Sequence, residues 1–203
     1  MDPERSRRPA GFPTGIIRGR EFVTPDPDSV IAGLDAYLAA LESRHLASLT
    51  RSELTRALRA LSSCYVERRS GLARGEPLAT AGRRAAFACF FGPLHFLLGR
   101  SILREVESGA PAPGEVLDLG CGTGAAGAAW ALHHGASPRV TAIDRNRWAV
   151  EEARHTLQTL GLRGAARQAG MEAARPRERG AAIAAAFCLD ELDEMGRSRM
   201  LPR

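Results

Sequence analysis

The segment Val116-Leu-Asp-Leu-Gly-Cys-Gly-Thr-Gly-Ala-Ala-Gly-Ala-Ala-Trp-Ala131 narrows the fold more than any other part of the chain. An apolar run too short for a helix gives way to four glycines and then to small residues suited to close helix packing. A strand with little polar alternation is one covered on both faces, as in parallel sheets flanked by helices. The spacing predicts a strand over 115–119 and a helix over 124–134. The alternation then repeats, with a strand over 139–144, a helix over 147–160, a third strand over 165–168 and a fourth over 181–189. Strands alternating with helices of roughly ten to fifteen residues predict an α/β fold with a doubly wound parallel sheet of about four strands.

The chain before this unit reads differently. Residues 1–27 form an extended lead, because Pro3, Pro9, Pro13, Pro25 and Pro27 deny a helix. Residues 28–110 make an α-helical N-terminal region, and residues 115–203 the sheet domain. A first helix opens at Asp28 and carries Leu34, Tyr37, Leu38 and Leu41 at three- and four-residue steps. A second opens at the capping box Thr50-Arg-Ser-Glu53 and runs to about Arg69. A third covers 79–107, kinked or restarted at Gly92-Pro93. Its stripe of Phe87, Phe90, Phe91, Leu94, Leu97 and Leu98 is expected to pack as core against the following domain, with His95 a buried, satisfied histidine.

Composition excludes some functions. The four cysteines stand far apart with no Cys-x-x-Cys pair, so no metal site and no disulfide framework is expected. A charged, proline-broken start and the lack of a long uncharged apolar run predict a cytoplasmic protein with no membrane partner. All 28 basic residues are arginine. Residues 1–110 hold 16 of them against 12 acids, and 111–203 hold 12 against 11. That excess in the helical half is the electrostatic footprint of an RNA partner, with Arg68, Arg69, Arg83 and Arg84 as candidate phosphate contacts.

Ligands of doubly wound sheets bind where the first strand turns into its helix, at Gly120 to Gly124. Two chemistries compete there. Gly122-Thr-Gly124-Ala-Ala-Gly127 fits the dinucleotide pattern, with Asp144 as the ribose acid 20 residues beyond Gly124. Asp118, at the end of the strand, would repel a pyrophosphate but suits a ligand carrying an ammonium group.

Asp118-Leu-Gly-Cys-Gly-Thr-Gly124 resembles the first motif of class I S-adenosylmethionine-dependent methyltransferases, a Rossmann-like family, and Asp144 falls where its second motif places the acid holding both ribose hydroxyls. The resemblance implies S-adenosyl-L-methionine as cofactor and methyl transfer as activity. It implies that Asp118 faces the methionine amino end and that Gly120, Cys121, Gly122, Thr123 and Gly124 line the methionyl and ribose portions. Arg145 and Cys188 join the cofactor-binding set, and Glu172 substitutes for the family's adenine-contacting acid, since Met171 follows Gly170. The family's fold has seven strands and this sequence continues only 14 residues past its fourth, so the domain is expected to be truncated, or completed by a partner chain over an open sheet edge.

Methyl transfer in this family occurs at the end of the fourth strand, here Phe187-Cys-Leu-Asp-Glu-Leu192. Asp190 and Glu191 are the catalytic candidates, and Cys188 is expected to be a buried thiol rather than a nucleophile. A narrower resemblance spans Leu61 to Arg69, Arg83 to His95, the glycine motif through Trp130, and Cys188 to Leu192. It is to the methyltransferase-like family associated with the small ribosomal subunit, and implies docking to or methylation of ribosomal RNA. A noncatalytic ribosome-assembly factor and a small-molecule methyltransferase are the alternatives.

Overall fold

The computed structural model describes residues 27–47, 49–67, 78–106, 111–135, 137–177, 179–189 and 192. The lead before residue 27, Arg68, Arg69, Asp190 and Glu191 lie outside the described residues. Helices α1 (Pro27–His45) and α2 (Arg51–Glu67) come first. A long helix follows, built from α3 (Ala81–Ala86), a π-helical turn (Phe87–Phe91) and α4 (Gly92–Val106). Then β1 (Glu115–Leu119), α5 (Ala125–His133), β2 (Arg139–Asp144), α6 (Arg147–Thr159), β3 (Gly164–Gln168) and β4 (Ala182–Ala184) alternate. All strand pairings are parallel, in the order β3-β2-β1-β4, so the expected Rossmann-like α/β sheet with a helical N-terminal region is observed.

Strand alternation divides the core. Val140, Ala142 and Ala166 face α5 and α6, where they pack with Ala125, Ala128, Val150, Ala153 and Leu157. Leu117, Leu119 and Ile143 belong to a second cluster, with Met171 and Cys188. The helical region shares the first layer rather than standing beside it. Phe96 of α4 and Leu34 of α1 join the α5–α6 core, and buried Glu152 of α6 accepts hydrogen bonds from Arg44 Nε at 3.1 Å and His45 Nε2 at 2.7 Å. The α2 capping box forms as expected: the Thr50 amide donates to Glu53 Oε2 at 2.8 Å and the Glu53 amide to Thr50 Oγ1 at 3.3 Å.

Three expectations are corrected. The helix does not break at Pro93, because the Gly92 amide reaches Phe87 O in a π-type bond just before the proline and leaves room for a residue without an N–H. Nor is the large apolar stripe the packing face. Phe87 is buried, but Phe90 is 48% exposed, Leu97 41%, and Leu94 and Leu98 similar, with Ile102 and Val106 beyond them more open still. The packed face runs through Gly92, Phe96, Gly99 and Leu103. A Cβ at Gly99 would lie 3.2 Å from Ala129 Cβ of α5, and one at Gly92 3.3 Å from the Tyr37 hydroxyl. Glycine lets the helices approach more closely than leucine allows, so the small residues turn inward. The whole helix Ala81–Val106 has the length and hydropathy of a membrane span, and this face of it packs on α5 and Tyr37. Strand β4 is also shorter than the expected 181–189: only Ala182–Ala184 pair with β1, and Phe187 beyond them adopts φ +60°.

Candidate functional site

The carboxyl ends of β1, β2, β3 and β4 meet at one edge of the sheet, and the glycine loop crosses it. Gly120, Gly122 and Gly124 all have positive φ, at 62°, 52° and 76°. Side chains are excluded here first by the protein itself. A Cβ at Gly120 would lie 2.7 Å from Cys188 Cβ, and one at Gly124 3.0 Å from Ala153 Cβ of α6. Phe87 of the π turn lies over Gly122, with ring atoms 3.4 and 3.5 Å from where a Cβ would stand.

Asp118 is fully buried beneath the loop, and its Oδ2 accepts the Gly127 amide at 2.9 Å. The strand thus caps the N-terminus of α5, whose own N-cap, Gly124, has no side chain for the purpose. Burial raises this carboxyl to about 7, opposed by the Gly127 hydrogen bond and reinforced by the nearby Asp144. Asp144, half-buried at the end of β2, accepts the Gly122 amide at 3.0 Å through Oδ2 and the Asn146 amide at 2.7 Å through Oδ1. A carboxylate offers about four lone-pair positions, so these two bonds leave room for a ligand's hydroxyls. Asn146 in turn caps α6 by accepting the Trp148 amide at 3.0 Å.

The remaining residues fall around this pair. Cys121 is buried, its amide donating to Ile143 O at 3.0 Å, and burial beside Asp118 and Asp144 pushes its thiol well up. Thr123 is buried with its side chain toward Tyr37 and Gly92, on the side of the helical region. Arg145 is exposed, and its carbonyl accepts Gln168 Nε2 at 2.9 Å. Glu172 is exposed and folds its carboxylate back over Gly170. Cys188 is a buried thiol donating to Leu119 O at 3.1 Å, beneath Gly120.

The sequence did not single out Phe187 or place His95 beside it. The two rings stack with centroids 3.9 Å apart and an interplanar angle of 12°. Burial lowers His95 to about 4, leaving it neutral at pH 7, and among the described residues stacking rather than a hydrogen bond holds its ring. No three His, Cys, Asp or Glu side chains gather as metal ligands among the described residues.

A positive-φ glycine loop, with an acid at the end of each of the two central strands, thus stands at the carboxyl ends of a parallel α/β sheet, the edge at which such sheets bind ligands. Residues 116–202, somewhat less than half of the chain, match a family model described as a methyltransferase domain, which supports a class I methyltransferase domain over this segment. Proteins with this domain typically use S-adenosylmethionine. No curated protein and no solved structure matches the chain.

Proposed function

We propose that the chain is an S-adenosylmethionine-dependent methyltransferase whose cofactor lies across Gly120–Gly124. One observation carries this reading: two carboxylates, Asp118 and Asp144, flank a glycine loop within the segment that matches a methyltransferase domain. Two acids flanking one loop disfavour a pyrophosphate and favour a cofactor with ammonium and sulfonium charges. Asp144 holds the ribose hydroxyls with the lone pairs left by the Gly122 and Asn146 amides. Asp118 stabilises the cationic amino end from beneath the loop. When bound, the cofactor supplies an electrophilic methyl group; the protein's part is to orient it and keep water away.

RNA of the small ribosomal subunit is the acceptor we propose, supported by the sequence order from Leu61 to Leu192 and by the arginine excess before residue 111. Calorimetric titration with S-adenosylhomocysteine, with NADH as control, tests the cofactor assignment. Binding that Asp144→Ala weakens by ten-fold or more is expected. A folded protein that binds NADH and ignores S-adenosylhomocysteine would overturn it. Tritium transfer from labelled S-adenosylmethionine to purified small subunits, but not to large ones, tests the acceptor.

A further inference from the structure

We infer that Phe187, backed by His95, is the platform on which the acceptor's reacting ring stacks, and that this ring is flat and aromatic, as a nucleobase is. The inference rests on the cofactor assignment above and adds the acceptor side of the same site.

Its basis is a continuous rim of rings that begins and ends on the glycine loop. Phe87 lies on Gly122 at one end. Its ring meets His95 edge-on at 6.2 Å, and His95 stacks on Phe187 at 3.9 Å. Cys188, the next residue, packs against Gly120 at the other end. Phe91 supports His95 from behind at 5.9 Å.

Phe187 is held in an unusual state. Its φ of +60° makes it the only non-glycine among the described residues with positive φ, and a bulky aromatic in that region is an outlier maintained by its surroundings. Those surroundings are visible. The Cys188 thiol is tied to Leu119 O at 3.1 Å below, while the His95 ring fixes Phe187 above. The reversal sends Cys188 into the core and Phe187 out of it, where it remains 47% exposed with one face on His95. An aromatic face left open to solvent beside a cofactor loop is a stacking surface.

The test uses the full chain and a short single-stranded RNA carrying 2-aminopurine, whose fluorescence is quenched by stacking. Wild type is expected to bind and quench. Phe187→Ala is expected to lose the quench and about ten-fold in affinity, with Phe187→Tyr retaining both. His95→Ala, which frees the Phe187 ring, is expected to reduce the quench. S-Adenosylhomocysteine titrations of each variant serve as the separating arm and should match wild type. Equal quenching by wild type and Phe187→Ala would overturn the inference, as would no quenching by wild type. It would also be overturned if Phe187→Ala lost S-adenosylhomocysteine binding, since Phe187 would then belong to the cofactor's pocket. If wild type quenches the probe yet binds no S-adenosylhomocysteine, the cofactor assignment fails while the stacking surface stands.

Discussion

Asp118→Asn separates the two demands placed on one buried carboxyl. The side chain must accept the Gly127 amide at 2.9 Å, which an asparagine oxygen does equally well, and it must lie uncharged or charged without contact to water. Burial first, then Asp144, lifts its folded value from 3.8 to about 7. A raised folded value means that the native state binds the proton more tightly than the unfolded chain. This contribution to stability is therefore complete below pH 3.8 and is lost as pH rises through 7. Each unit between the two values is worth about 1.4 kcal/mol, so taking wild type from pH 5 to pH 7 removes roughly 2 kcal/mol through this group alone. Asparagine has no such slope. In urea denaturation at pH 5, 6, 7 and 8, the stability of Asp118→Asn relative to wild type is expected to grow by that amount between pH 5 and 7 and to flatten above pH 8. Titrating groups away from this carboxyl are common to both proteins and cancel. Parallel stability curves for the two proteins would refute the reasoning, because they would mean that Asp118 ionises as readily folded as unfolded.

Other consequences follow from the same contacts. Binding of S-adenosylmethionine at pH 7 should release about half a proton as the cation draws Asp118 down from about 7, measured by calorimetry in buffers of different ionisation enthalpy. Glu152→Ala should destabilise the fold by about 3 kcal/mol in denaturant, because it strands Arg44 and the largely buried His45. Burial alone would raise the Glu152 carboxyl, but contacts with His45 and Arg44 outweigh it and leave it below its ordinary 4.5. Stability from that group is therefore present above about pH 4.5 and fades as pH falls through the lower folded value, which acid titration of wild type against Glu152→Gln should reveal. Gly124→Ala, placing a Cβ at φ 76° and 3.0 Å from Ala153, should cost about 2 kcal/mol by thermal or chemical unfolding.

Much of the sheet was legible because its signals are local. Val116 to Leu119 and Val140 to Ile143 are apolar runs closed by a glycine or an acid, and the strands fall at 115–119 and 139–144 as their composition requires. The loop, Asp118 and Asp144 were legible for the same reason, since their spacing is fixed within one strand-loop-helix unit. What the spacing does not carry is direction. Nothing local says that Asp118 turns to the Gly127 amide, or that Thr123 turns to the helical region. The stripe on α4 was misjudged because apolar bulk marks what water rejects, while close packing is set by what fits. Gly92 and Gly99 admit α5 and Tyr37, and Leu94, Leu97 and Leu98 are left outside. Phe187 was invisible as a site residue because its role depends on a positive φ and on His95, 92 positions away in sequence.

The helical region is therefore part of the site's construction. The π turn inserts one extra residue per turn and so sets the register of two features at once: Phe87 over Gly122, and Gly92 against Thr123 and Tyr37. The Tyr37 hydroxyl accepts from Thr156 of α6 at 3.4 Å and bonds the Thr123 side chain, so α1, the loop and α6 meet at one buried polar point. Phe96 and Leu34 meanwhile complete the core under α5 and α6. An ordinary α-helical turn in place of Phe87–Phe91 would rotate everything after it by about 100°. Either Phe87 would leave the loop or Gly99 would leave Ala129. Deleting one residue of that turn should consequently lower stability and cofactor affinity together, whereas Phe87→Leu, which keeps the register and most of the bulk, should largely spare the stability.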